Sequence, residues 1–546
     1  DLNVAVGYQA LSADTKGSRN IAIGYSALFS QNFTSSTNSF NTAVGDSAGQ
    51  QITTAIENTL IGGLAGDAIT TGNSNVAVGY LSLTANTTGA SNVGIGVIAL
   101  DANTTGSDNV GMGRGALGAN TTASNNTAVG GLALSSNTTA SSNTAVGYQS
   151  LTSNTTGTRN VGVGYNTLSL NTTANDNTSV GHDALDVNTT GASNTALGSS
   201  ALGANTTAPN NTAVGYQALK ANTTGDTNVA IGKDSMLANT TGTNNTAVGP
   251  RSLQSNTTAA NNVAVGDLAL GSNTTGGTNT AVGTNALKSN TTASNNTAVG
   301  YQASYNNTTG TENTYVGGEA GLNVTTGILN TCIGYKAGRT ITTAQRNTFL
   351  GHFAGQSTTS SYNTFIGQDA GTYVTSGSKN TILGTYDGNQ GGLDLRTASN
   401  YIVLSDGDGN PRVVITSGGD IRVPATYNQT TGSGANMVVD SSGNFQRSTS
   451  SLRYKNTVND ATHGLTELMT LRPVTYKGNN DGDTVYGGLI AEEVHDAGLT
   501  EFVTYNDDNE PDALAYGNMV SLCIKAIQEL STKNDALEAR IATLEG

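Results

Sequence analysis

Residues 211–227 read NTAVGYQALKANTTGDT, and Asn228 opens the same phrase again with NVAIG. Working outward from this stretch, the leading asparagine returns at Asn3, Asn20, Asn41, Asn58, Asn75 and Asn92. It then recurs every seventeen residues to Asn347, with Asn363 and Asn380 after it. A four-residue insertion in FSQNFTSSTNSF and a one-residue deletion before Asn363 are the two breaks in step. A fixed period of this length marks a solenoid, in which each unit is one coil that contacts only its neighbours.

Counting the asparagine as position 1, position 2 is Thr, Val or Ile and position 4 is aliphatic, with Met112 the one variation. Alternation with period two predicts a short strand with one apolar face. Position 3 points the other way and is mostly Ala or Gly (Ala5, Gly94, Gly111, Ala213), small enough for a second backbone to approach. Position 5 is Gly, where the chain must turn and a positive φ is tolerated. A second apolar position follows at Leu11, Leu117, Leu219 and Leu287, and the unit closes through NTTG or NTTA, which is turn chemistry. Stacked asparagines are expected to form a ladder that satisfies buried amides from coil to coil. At roughly 4.8 Å per coil, twenty-odd coils make a stiff rod on the order of 110 Å long. From Asn313 position 3 turns bulky (Tyr315, Cys332, Phe349, Phe365, Ile382) while the Leu position becomes Gly (Gly321, Gly338, Gly355). This predicts a change of cross-section and a transition to the next module.

Composition agrees with repetitive order. The 546 residues are 36% hydrophobic with 70 Gly and no Trp, too lean for one large core, and only 11% are charged, unlike an ordinary disordered tail. A net charge of -15 with no basic run argues against nucleic acid and anionic membrane as partners. No apolar run is long enough for a membrane helix, so no membrane insertion is expected. Cys332 and Cys523 have no neighbouring ligand residues, so neither a disulfide framework nor a metal site follows, and both read as buried packing. No cofactor is implied. The chain starts at Asp1, without Met and two residues before a repeat, and an anchoring N-terminal portion is expected to be missing.

Other features of the repeat have plain readings. NTT is formally a glycosylation sequon from Asn86 to Asn307, but the periodic turn accounts for it. An ice-binding threonine array is disfavoured because Thr87 and Thr88 would face opposite ways in an extended stretch. Tyr8, Tyr25, Tyr80, Tyr148, Tyr165, Tyr216 and Tyr301 follow the turn Gly and read as a structural shelf rather than a sugar platform. DGDGN at 406–410 has calcium-like spacing, yet Pro411 replaces the required Gly and no Glu closes the loop, so it reads as a hairpin turn between YIVL and RVVI.

The N-T-A-V-G phrase resembles the N-S-V-A-I-G head repeat of trimeric autotransporter adhesins. That resemblance implies a left-handed β-roll assembled as a trimer, with the Ala/Gly position as candidate inter-chain side. After about residue 385 the period is lost and short β segments follow: YIVL, RVVI, IRVP and MVV. Beyond them STSSLRYKN, LRPVTY, GGLIAEEV, ALAYGNM and IKAIQEL occur in that order. Together these resemble the C-terminal intramolecular chaperone of the endosialidase type, the S74 peptidase family of bacteriophage tail fibres and tailspikes. The resemblance covers about the last hundred residues. It implies Ser450 as nucleophile, Lys455 as its general base, Arg453 in support and a scissile bond between Thr449 and Ser450. Lysine serves as a base only if burial or a nearby cation lowers its pKa from roughly 10.4. Two positions differ from the usual pattern, Ser451 after the nucleophile and Glu492 in the GGLIAEEV phrase.

The last segment spaces Val520, Cys523, Ile527, Leu530, Asn534, Leu537, Ile541 and Leu544 three and four apart, a coiled coil with Asn534 setting register. Its heptad chemistry alone favours two strands, while the resemblance implies three, and the expectation follows the latter. The domain expectation is a repeat β-solenoid shaft over 1–385, a β connector over 386–448, and an α+β chaperone over 449–546 whose coiled coil begins near 516. The functional expectation is a homotrimeric tail fibre that is made in the host cytoplasm and acts outside the cell on the virion. It would bind a host-surface glycan or protein and join other tail proteins through its missing N-terminal portion. Its only expected enzymatic act is one self-cleavage. The rivals are a bacterial surface adhesin, which would end in membrane strands, and a polysaccharide-degrading tailspike, which would need paired carboxylates in a groove.

Overall fold

The computed structural model describes residues 2–423, 437–439, 445–447, 457–479, 482–506 and 508–546. They fall into two units, Asp1–Gln429 and Thr430–Gly546. The first is a β-solenoid of about 24 turns. Each coil gives one short strand to the main sheet, from Val4–Val6 to Thr381–Leu383, and successive strands stack parallel and in register, as in Thr127↔Thr144, Ala128↔Ala145 and Val129↔Val146. The first two coils add a second pair, Gly17–Ser18 with Thr37–Asn38. Ile402–Ser405 joins the stack in parallel one coil past the loss of the period. Pro411–Ile415 and Ile421–Arg422 then fold back antiparallel to complete a 26-stranded sheet.

One coil, 143–159, shows why the repeat needs each residue. Asn143 is fully buried: its backbone N–H donates to Asn126 Oδ1 at 3.0 Å, its Nδ2 donates to the Gly157 carbonyl at 2.9 Å, and its Oδ1 accepts the Asn160 N–H at 2.9 Å. Gly147 has φ +131°, and a Cβ there would overlap the Gly164 carbonyl of the next coil. Leu151 sits fully buried with φ +52° and donates its N–H to the Thr167 carbonyl at 2.9 Å. A left-handed leucine costs roughly 1–2 kcal/mol, and burying its side chain returns about 1.5–3. Asn154 donates to Asn137 Oδ1 at 3.0 Å and to the Gly157 carbonyl at 2.9 Å. Thr155 Oγ1 donates to the Thr172 carbonyl at 3.0 Å. The coil is therefore tied to its neighbours around its whole perimeter, not only along the strand.

The asparagine ladder expected from position 1 is present, with backbone N–H to Oδ1 distances of 3.0 Å at Asn58→Asn41 and Asn245→Asn228. The two faces of the strand are the reverse of the expectation. Position 3 is the interior: Ala43, Ala128, Ala213 and Ala298 are fully buried against the leucines of the same chain, so this position is not an inter-chain side. It is small because the coil is thin and position 9 already fills it. Positions 2 and 4 face outward, half-buried or exposed.

At Asn313 the filling of the interior changes, while the solenoid itself continues. Strand register continues unchanged through Thr297↔Thr314 and Ala298↔Tyr315. What changes is which position supplies the bulk. Tyr315, Cys332, Phe349 and Phe365 fill the interior from position 3, and Gly321, Gly338, Gly355 and Gly371 stand where the leucines were, at φ between +58° and +62°. A Cβ on Gly355 would lie 2.6 Å from the Phe349 ring, and one on Gly338 2.6 Å from Cys332 Sγ. Large at position 3 and large at position 9 are mutually exclusive.

The second unit has a small core of Val494, Leu499, Phe502, Val503, Met519 and Leu522. Around it lie the antiparallel pairs Val474–Lys477 with Val485–Gly488 and Val503–Tyr505 with Pro511–Leu514. Among the described residues it also has the α-helices α1 (Leu465–Leu468), α2 (Ala491–Asp496) and α3 (Val520–Glu545) and a 3-10 turn at Thr500–Phe502. A further pair, Met437–Val439 with Phe445–Arg447, precedes them.

Candidate functional site

Thr449, Ser450, Arg453 and Lys455, the residues expected to carry self-cleavage, lie outside the described residues. The remaining expected site residue, Asn534, is exposed on α3 and donates to Glu538 Oε1 at 3.1 Å along its own helix. The seam around it is open. Val520, Ile527, Leu530, Leu537, Ile541 and Leu544 are each more than half exposed, and α3 buries only Leu522 and Ala526. From Leu530 onward every residue of the helix is exposed. Cys523, expected to be buried, is exposed on the same seam. Cys332 is buried as expected, and burial pushes its thiol pKa up, away from the reactive range.

Two contacts fasten α3 to the rest of its unit. The Leu465 N–H at the start of α1 donates to Glu529 Oε2 at 2.9 Å, which places a carboxylate on unsatisfied helix donors. Tyr516, just before α3, accepts the Leu489 N–H at 2.7 Å. The two histidines of this unit are also partnered. His463 lies 2.7 Å from Glu501, whose hydrogen bond raises the imidazole pKa, and His495 lies 2.8 Å from Tyr505 Oη.

On the shaft, the outward face of the sheet is the most uniform surface. Positions 2 and 4 carry no charged residue in any coil, from Val4 and Val6 to Ile402 and Leu404. They form two columns of Thr/Val/Ile and of Val/Ile/Leu side chains. Charge sits elsewhere on the coils, as in the Arg159–Asp176 ion pair at 2.6 Å between neighbouring coils.

Several weaker readings are resolved by burial. Asn86, Asn103 and the other NTT asparagines through Asn307 are fully buried and hydrogen-bonded, which leaves no room for a glycan in the folded coil. These form a second ladder that the reading of NTT as a turn missed; its signal was the asparagine at position 12 recurring with the same period as the first. The threonines do not form an array either: Thr87 Oγ1 is committed to the Thr104 carbonyl at 3.1 Å, while Thr88 points outward. Tyr148, Tyr165 and His182 stack on one another at 5.7 and 5.1 Å, as a shelf would, whereas Tyr80, Tyr216 and Tyr301 have no ring partner among the described residues. In DGDGN, Asp406 Oδ1 accepts the Asn410 N–H at 2.9 Å and Oδ2 pairs with Arg412. The Asn410 amide leads in holding that carboxyl down at about 2. The loop is the hairpin turn between Ile402–Ser405 and Pro411–Ile415. Among the described residues no group of three or more His, Cys, Asp or Glu could hold a metal, and no helix is long and apolar enough to cross a membrane.

Comparison with protein-family models, with curated proteins and with solved structures finds no match.

Proposed function

We propose that this chain is one of three in a phage tail-fibre shaft that attaches to a host surface, and that its C-terminal module aligns the three chains and then cuts itself off. The observation that carries the proposal is the exposed apolar seam of α3, and the uncharged Thr and aliphatic sheet face of the shaft is compatible with it. A helix with no side chain buried from Leu530 onward is marginal alone and calls for copies of itself. The sheet face, rather than the Ala/Gly position, is then the inter-chain side.

The same uniformity explains why an aligner is needed. If three sheet faces slip by one coil, every outward side chain meets an equivalent one and only one coil in about 24 loses its partner. A unique interface in the C-terminal module would set the stagger before the shaft closes. By the motif resemblance, Lys455 takes the Ser450 hydroxyl proton and Ser450 Oγ attacks the Thr449 carbonyl, while Arg453 helps keep Lys455 neutral. The Thr449–Ser450 C–N bond breaks as the Ser450 nitrogen takes that proton from Lys455, and water then hydrolyses the ester to free the Thr449 carboxylate and the Ser450 hydroxyl. Cleavage removes the aligner and leaves a kinetically trapped rod. The fibre works outside the cell as part of the virion.

The test is denaturing gel and mass analysis of freshly made protein beside Ser450→Ala. The reading expects a released piece running from Ser450 to Gly546 in the wild type and none in the variant. An intact wild-type chain would remove self-cleavage from the account.

A further inference from the structure

The coils of the shaft are nearly closed surfaces, but the end of the solenoid is not. Asn380 and Tyr401 bracket a longer excursion than the usual repeat, and within it Asn389–Gln390 and Leu393–Asp394 pair as a small antiparallel lobe. Tyr386 anchors this lobe from inside, fully buried, with its hydroxyl donating to the Leu393 carbonyl at 2.8 Å. On the other side the 406–410 turn is held rigid by Asp406. Between the lobe, the turn and the two preceding coils lies a groove of about 670 Å³. A second hollow of about 400 Å³ shares Ser357, Tyr373 and Asp387 with it.

Tyr373 thus borders both hollows. Its side chain is 55% exposed. Its backbone N–H donates to the Asp387 carbonyl at 2.8 Å, which fixes the ring's base without using its hydroxyl. This distinguishes it from the stacked tyrosines of the shaft, whose faces cover one another. Around it stand groups with unused hydrogen-bonding capacity. Among the described residues nothing bonds the Gln356 amide or the Asp408 carboxylate. Asp387 uses one oxygen, to the Asn389 N–H at 2.9 Å. Gln368 donates to Asp369 at 3.2 Å and keeps its carbonyl oxygen free.

We propose that this groove binds a neutral glycan, with a pyranose ring laid on Tyr373 and its hydroxyls held by Gln356, Gln368, Asp387 and Asp408. The C–H face of a sugar ring carries partial positive charge and suits the negative face of an aromatic ring. Planar amides and carboxylates offer the paired donors and acceptors that adjacent hydroxyls need. Three carboxylates (Asp369, Asp387, Asp408) line the larger groove without a cation, and the one cation of the second hollow, Arg396, is paired with Asp394 at 2.7 Å, which disfavours an anionic sugar. Two hollows meeting at one tyrosine suit at least two sugar units. The proposal rests on the host-attachment reading for where the glycan comes from; binding itself depends only on the groove.

The experiment uses the full chain. Its binding to immobilised neutral hexose and N-acetylhexosamine tetrasaccharides is measured beside matched tetrasaccharides ending in sialic acid or a uronate. Tyr373→Ala and Gln356→Ala are tested in parallel, with circular dichroism and thermal midpoint as folding controls; both side chains are on the surface and the backbone bond at Tyr373 is kept. The expected result is binding of at least one neutral glycan and none of its acidic match, weakened at least tenfold by Tyr373→Ala and several-fold by Gln356→Ala with unchanged folding. Absence of any neutral binder, preference for the acidic set, or binding indifferent to Tyr373→Ala overturns the site. None of these outcomes bears on self-cleavage, which the Ser450→Ala comparison decides by itself.

Discussion

Coils between Asn75 and Glu312 and coils from Asn313 onward have the same strand, the same register and the same outward face, yet they fill their interiors in opposite ways. The first set places Leu at position 9, with Met236 and Ser304 the exceptions, and Asn at position 12 around a small position 3. The second places a large residue at position 3, Gly at position 9 and Val, Ile or Thr at position 12, as in Val324, Ile341, Thr358 and Val374. The early coils show that this is an exchange and not a drift: Leu60, Gly66 and Ile69 make the second arrangement near the other end of the shaft. The lesson is that the source of interior bulk is free to move between positions of the coil. The outward face has no such freedom, since no coil of either set puts a charge at position 2 or 4. Under the function proposed above, a second copy of the same face is what this uncharged surface meets.

The sharpest way to break this comparison is to put both sources of bulk in one coil. Gly355→Leu adds a side chain whose Cβ alone sits 2.6 Å from the Phe349 ring and places a branched residue at φ +58°. Overpacking and left-handed strain together are expected to cost about 3–5 kcal/mol in denaturant unfolding. Adding Phe349→Ala rebuilds the first arrangement and should recover most of that loss; a double variant no better than the single one would show that the two positions do not share a space.

A smaller effect separates the middle of the second ladder from its end. Asn205→Val removes a donor to Asn188 Oδ1, at 2.9 Å, and leaves that acceptor buried and unpaired, for a loss of about 1–3 kcal/mol. Asn307→Val also strands one acceptor, on Asn290, but removes another, because Asn307 Oδ1 is already unpaired where Val324 follows it. It should therefore be milder than Asn205→Val by about that same 1–3 kcal/mol. Equal costs in equilibrium unfolding would mean that the ladder is not a chain of donors and acceptors.

The smallest effect is on pH. The Asp406 carboxyl is held at about 2 in the folded hairpin, led by the Asn410 N–H, and would ionise near the ordinary value of roughly 3.9 when unfolded. A depressed folded value means that its contribution is fully present above the unfolded pKa and is lost as pH falls toward 2. The wild-type thermal midpoint should drop more than that of Asp406→Asn between about pH 5 and pH 2, by a small margin because the group is exposed.

Much of this was legible in the repeat. The strand at positions 2 to 4, the glycine turn and the first asparagine ladder all follow from period and residue type. What could not be read was which side of a three-residue strand is inside. Alternation shows that Val6 and Ala5 point apart, but not that the alanine faces the core; hydrophobicity suggests the opposite. The leucine at position 9 decides it, because its left-handed φ turns the side chain inward onto position 3, and nothing in its identity announces that backbone. The second ladder was hidden for a related reason, since NTT is good turn chemistry in any loop. Cys523 was misjudged because burial base rates describe residues covered by their own chain, whereas it lies on a seam left open. The groove at Tyr373 is formed where two repeat coils meet the excursion after Asn380 and the 406–410 turn, and the period describes only the first of these.

The central claim is that near-identical coils cannot choose their own stagger and that the C-terminal module chooses it for them. It is tested most directly by unfolding the full chain and a chain ending before Thr449, refolding both, and measuring mass by sedimentation and rod length by electron microscopy. The account predicts trimers of one length from the full chain, and staggered or aggregated rods from the shortened one. Uniform, aligned trimers from the shortened chain would contradict it.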